Sequence, residues 1–189
     1  MKPPVKTLAL ITIFFLSANI ANAQINIGPA NSIAVDVKKI IDDYPNHFET
    51  LVGEMIIQNP QSADYQCSLK ISGAEESIIT RYSRKKNYIS WHAVMLTTEN
   101  FEEARKKYSS LYNQLNNLSI RSMRLKGVYE SPAEEKKFTS AVLSFDPADE
   151  TLKKLKVEVM MEAEQMEWKV KLLIYDRERE DDERGEIQE

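Results

Sequence analysis

Residues 155–175 read LKVEVMMEAEQMEWKVKLLIY, and their pattern decides the fold. Leu155, Val157, Val159, Met161 and Ala163 alternate with Lys156, Glu158, Met160 and Glu162. After Glu164-Gln165 the alternation resumes, with Trp168, Val170, Leu172 and Ile174 on one side. A period of two sends successive side chains to opposite faces of a strand. A connection this short joins antiparallel neighbours, so the stretch is a hairpin. Glu158, Glu162 and Glu164 fall on its outward side, where a solvated face accounts for them without the paired carboxylates of glycoside hydrolysis.

Working back from the hairpin, residues 138–145 are rich in β-formers, and a weaker strand is expected over 120–129. Asp146-Pro147 between them and the hairpin reads as an N-cap with proline at the first helical position, opening one or two turns to Lys154. The clearest helix lies before these strands. Thr98 can cap it, Phe101, Ala104, Tyr108, Leu111, Tyr112, Leu115 and Leu118 line one side, and Glu102, Glu103, Arg105, Lys106 and Lys107 take the wet side.

Further upstream, residues 65–71, 77–82 and 88–97 predict a three-stranded meander linked by short turns. Over residues 35–55 the apolar side chains Val37, Ile40, Ile41, Tyr44, Phe48, Leu51, Val52 and Met55 recur every three or four positions, as in a helix with one buried face. Pro45 interrupts that pattern, giving either two short helices or one kinked helix. The expected fold class is α+β: an antiparallel sheet of about six to seven strands with two main helices packed on one face. Trp91 in SWHAVML and Trp168 in EWKVKLL each stand in the closing strand of a helix-plus-meander stretch. That pattern raises two pseudo-repeated halves as one reading and coincidence as the other.

The first residues carry an address. Lys2 and Lys6 precede an apolar run over 8–20, and Ala21-Asn22-Ala23 follows. This positive, apolar, small-x-small order predicts a signal peptide over 1–23, cut between Ala23 and Gln24. The run is too short for the roughly 20 residues that span a bilayer, so no stable membrane insertion is expected after cleavage. The predicted location is periplasmic or secreted. Residues 24–34 read as a flexible lead-in, 35–175 as a single α+β domain, and 176–189 as a charged, disordered tail.

The chain has a net charge of −4, and losing Lys2 and Lys6 takes it to −6. An acidic balance lacks the basic footprint that nucleic acid requires. Cys67 is the single cysteine, so no internal disulfide can form. It sits on the apolar side of its strand and reads as buried and inert. The five glycines are too dispersed for a phosphate-cradling loop or a nucleophile elbow. His47 and His92 have no metal-ligand spacing around them. No cofactor and no metal are expected.

What remains is a binding role. The sequence predicts an exported, non-enzymatic module that takes a protein, a surface polymer or a small amphipathic ligand, with Tyr88, Trp91, His92, Tyr108 and Tyr112 as candidate groove-lining residues. Within the strand, Trp91 shares one face with Ile89, Ala93 and Met95, while His92 shares the other with Tyr88, Val94 and Leu96. Both faces look apolar enough to be covered. The alternative is a hydrolase built on a cleft carboxylate and His92.

Overall fold

The computed structural model describes residues 32–83 and 88–176. The signal peptide with its cleavage point at Ala23 and Gln24, the lead-in up to residue 31 and the tail beyond Asp176 lie outside the described residues. The described part is an α+β fold with one antiparallel sheet and two α-helices. Helix α1 spans Ser32–Asp43 and α2 spans Phe101–Leu115. The strands are β1 (Val52–Gln58), β2 (Ser62–Cys67), β3 (Glu76–Tyr82), β4 (Ile89–Thr98), β5 (Ser119–Ile120), β6 (Met123–Gly127), β7 (Phe138–Asp146), β8 (Lys156–Glu164) and β9 (Glu167–Tyr175).

The sheet therefore has nine strands rather than six to seven, in the order β1-β2-β3-β4-β9-β8-β7-β6-β5. Two meanders, four strands after α1 and five after α2, meet at the pair β4–β9. There Trp91 lies across from Ile174 and Trp168 across from Thr98. The hairpin of 155–175 forms as its pattern dictates, with Val159 opposite Leu172 and Met161 opposite Val170. Both residues of its turn, Gln165 and Met166, take positive φ, the geometry that matches a tight hairpin to strand twist.

Two strands arise where the sequence pattern misleads. The extra strand in the first meander is β1, in the second half of the expected helical stretch. Helix α1 stops at Asp43, two short 3-10 turns follow at Tyr44–Asn46 and Glu49–Leu51, and the chain then pairs with β2. Pro45 denies a helix its hydrogen bond, and His47 and Phe48 turn the chain through the left-handed region. The weak strand over 120–129 is likewise two, β5 and β6, because Arg121 and Ser122 at positive φ fold it back on itself. The segment after Asp146-Pro147 forms turns rather than a helix, with Asp149 accepting the Leu152 N–H at 2.8 Å.

Core-facing residues alternate strictly. Ile79, Trp91, Ala93, Leu143, Val157, Val159, Leu172 and Ile174 join Val37, Ile40 and Ile41 of α1 and Ala104, Tyr108, Leu111 and Leu115 of α2 in one cluster. The registers place those strand residues on one face of the sheet, so both helices cover that face. On β4 the residues of the other parity, His92, Val94 and Leu96, are only half-buried, which corrects the expectation of full cover on both sides. Helix α1 is tied down by its buried Asp36, whose Oδ2 accepts the Ser72 backbone N–H at 3.0 Å and hydroxyl at 2.7 Å.

The N-cap of α2 lies two residues beyond Thr98. Asn100 is its N-cap, with Oδ1 accepting the Glu103 N–H at 3.1 Å. Thr98 stays in β4 and acts from there, its hydroxyl donating to Glu103 Oε2 at 2.8 Å. The cap thus holds an otherwise orphaned helical N–H. Replacing Asn100 by Ala is expected to lower the unfolding free energy by about 1 kcal/mol, and Thr98→Ala by less, read as midpoint shifts in urea.

Candidate functional site

Helix α2 presents two columns of polar side chains to the outside. Residues four apart on a helix stack along one ridge. Arg105, Ser109 and Asn113 form one ridge, and Lys106, Ser110 and Gln114 form the next. Each column repeats the same order: cation, hydroxyl, amide. Each runs about 12 Å along the helix at 1.5 Å per residue. With Tyr129 and Ser131 these six residues line an open groove of about 620 Å³.

Tyr129 forms the opposite wall, and the path that brings it there starts at Gly127. A Cβ at Gly127 would stand 2.6 Å from the Val142 carbonyl oxygen. Only a bare Cα lets β6 close on β7 there. The Gly127 carbonyl accepts the Tyr112 hydroxyl at 2.8 Å, which pins the end of β6 to α2. Two residues on, the Tyr129 ring packs on Tyr112 and Tyr108 at centroid separations of 5.0 and 5.8 Å. Its hydroxyl meets Ser109 Oγ at 2.6 Å. Tyr129 is 38% exposed, so part of its side chain supports the groove while the rest stays accessible.

The five residues singled out by sequence are divided. Tyr108 and Tyr112 come together beneath Tyr129 and form the foundation of the groove rather than its lining. Trp91 is fully buried in the core on the same face of the sheet. His92 projects from the opposite face, in a row that runs Ile78, His92, Leu173, Glu158, Val142 across five strands. Tyr88 precedes β4 and is exposed. Tyr129, Ser109, Asn113 and Gln114 escaped the sequence reading, although the two i, i+4 columns were present in it.

Glu158 corrects the picture of a solvated carboxylate row. It is 2% exposed and accepts the Tyr175 hydroxyl at 2.7 Å. Its neighbours on that side of β8 are paired with lysines, Glu164 with Lys169 at 2.8 Å at the surface and the part-buried Glu162 with Lys171. The hydrogen bond from Lys169 holds the Glu164 carboxyl below its usual range. His92 and Glu158 are separated by Leu173 of β9, which puts their backbones roughly 10 Å apart at sheet spacing. They share one face of the sheet without being directly paired. Among the described residues no cluster of His, Cys, Asp or Glu is placed to hold a metal, and no helix is long and apolar enough to cross a membrane. Cys67 is buried, as its strand position implies.

The groove's foundation can be tested through Tyr108. Its hydroxyl is buried without a hydrogen-bond partner among the described residues. Burial pushes its phenol well above the ordinary value, and the nearby Tyr129, Glu130, Tyr112 and Glu158 push the same way. A raised folded-state pKa contributes stability that is complete below the unfolded value, about 10 for tyrosine, and is lost as pH climbs above it. Tyr108→Phe is therefore expected to change stability at pH 7 by no more than about 0.5 kcal/mol, while making the loss of stability above pH 10 shallower, as measured by urea titrations across pH. Gly127→Ala is expected to destabilise by about 1–3 kcal/mol through overpacking and to shift the Tyr129 ring resonances in NMR.

Comparison with protein-family models, with curated proteins and with solved structures finds no match.

Proposed function

We propose that this chain is an exported, non-enzymatic binding module whose ligand is a hydroxyl-rich, anionic polymer lying along α2. The observation that carries this reading is the doubled column of Arg105-Ser109-Asn113 and Lys106-Ser110-Gln114 facing the Tyr129 ring. Amides and hydroxyls are the groups that exchange hydrogen bonds with a polyhydroxylated chain. An exposed aromatic face supplies apolar area with little loss of conformational freedom. Two cations at one end of the columns supply the anion preference. Arg105 is partly engaged with Glu102 across one helical turn, so a ligand carboxylate or phosphate competes with that exposed pair, which is worth little in water.

The groove's form supports a polymer over a small enclosed ligand. Small-molecule sites bury most of their ligand in a concave, mainly apolar pocket. This one is open along the helix. The signal peptide expected over 1–23 fits the same reading, since it would deliver the protein to where surface polymers are found. The net negative charge of the chain makes the local pair of cations the feature that selects an acidic ligand.

NMR titration with oligosaccharides of uronic acid is the direct test. The amides of α2 from Arg105 to Gln114 and of Tyr129 are expected to shift. The Arg105→Gln/Lys106→Gln double variant should weaken binding about tenfold or more and flatten its dependence on salt. Tyr129→Ala should weaken it by a similar factor, with far-UV circular dichroism unchanged in both. Equal binding of neutral oligosaccharides, or wild-type affinity in the double variant, rules this ligand class out.

A further inference from the structure

The groove along α2 is uneven in charge. Between Lys107 and Arg121 stand thirteen consecutive uncharged residues, Tyr108 to Ile120, in a chain of which 29% is charged. The run takes in the outer side of the last two turns of α2, where Ser110 and Asn113 are exposed. Solvation does not require this choice. Glu and Lys serve a wet helix surface as well, and both favour helix more than Ser or Asn does. The helix gives up some propensity to present hydroxyls and amides there.

The two columns form three levels, each about 6 Å from the next along the helix. Arg105 and Lys106 make the first, Ser109 and Ser110 the second, Asn113 and Gln114 the third. Tyr129 stands at the second level, where its hydroxyl meets Ser109 Oγ at 2.6 Å. At the third level Gln114 Nε2 donates to Ser110 Oγ at 3.1 Å, and the carbonyl oxygen of the same amide is an acceptor for a ligand. Asn113 offers a donor and an acceptor together. The backbone adds to this polarity. The negative end of the helix dipole lies at the third level, with no basic residue in the last turn to offset it, so an anion is disfavoured there.

A polymer with a carboxylate on every sugar would lay acidic groups over the second and third levels, where no cation answers them. On the reading that α2 carries the polymer site, we infer that the bound stretch has one acidic sugar followed by two neutral ones, the second bearing an acetamido group. The acidic unit pairs with Arg105 and Lys106. The middle unit meets the exposed part of Tyr129. The acetamido group exchanges hydrogen bonds with Asn113 and Gln114, since each amide supplies an N–H donor and a carbonyl acceptor. The spacing of the levels is close to the length of one pyranose unit, so three units span the columns. The order also sets a direction, with the acidic unit towards the amino end of α2.

Three trisaccharides titrated into the purified protein test this order by NMR. N-acetylneuraminic acid–galactose–N-acetylglucosamine should bind about fivefold tighter than the analogue ending in glucose. It should also bind tighter than trigalacturonate, although it carries one carboxylate against three. Asn113→Ala should bring the first two sugars to equal affinity and leave the glucose-ended one unaffected, with far-UV circular dichroism unchanged. A nitroxide on the terminal N-acetylglucosamine should broaden the amide resonances of Asn113 and Gln114 more strongly than those of Arg105 and Lys106. Equal or tighter binding of trigalacturonate overturns the inferred order and leaves the anionic-polymer reading standing. So does equal affinity of the two sialylated sugars for the unsubstituted chain, or stronger broadening at Arg105. If none of the three binds, both readings fall.

Discussion

Everything in this fold depends on the pairing of β4 with β9. Each meander is a sheet with two edges, and only where Trp91 meets Ile174 and Ala93 meets Leu172 do the two become continuous. The join places Ile79, Trp91, Ile174, Val157 and Leu143 in one row across five strands on the helix side. That row is the floor on which α1 and α2 rest, and their apolar faces share one core with it. Without the join each helix would cover a sheet too narrow to bury it. With no disulfide available, burial of this joint floor is the main source of stability.

The same arrangement fixes the outer side of α2. Helix α2 spans the join, touching β4, β8 and β9. Its inner side is committed to the core through Ala104, Tyr108, Leu111 and Leu115, which holds its outer columns rigidly in register. Tyr112 links the two roles, packing against the core while its hydroxyl fixes the Gly127 carbonyl. The groove is thus carried on a helix and one anchored strand end, a more exact support than a loop alone would give.

The parts legible in the sequence were those in which one period dominates. The 155–175 hairpin alternates without a break, and α2 keeps an apolar residue every three or four positions over four turns. Strand β1 was illegible because Phe48, Leu51, Val52 and Met55 continue the helical spacing of α1, while its bulge and edge position remove any alternation. Pairing with β2 overrides the local pattern there. The β5–β6 turn was hidden because Arg121 and Ser122 take left-handed geometry that the sequence marks with neither glycine nor asparagine. Thr98 and Asn100 are both competent caps, and only the length of β4 decides between them. Alternation tells which face Glu158 occupies, but whether that face is wet depends on what surrounds it. The groove was missed for a related reason: serines, amides and cations on a helix's outer side look like ordinary solvation until Tyr129 is seen opposite them.

The central position of β9 has a consequence for how the chain reaches its fold. The last strand of the sheet to leave the ribosome sits in its middle, beside β4, and residues some eighty positions apart must meet before the floor is complete. Contacts so distant along a chain form slowly. A nascent chain lacking residues 167–175 has two separate half-sheets and no shared interior. The floor shared by the two half-sheets therefore closes only once β9 has been made.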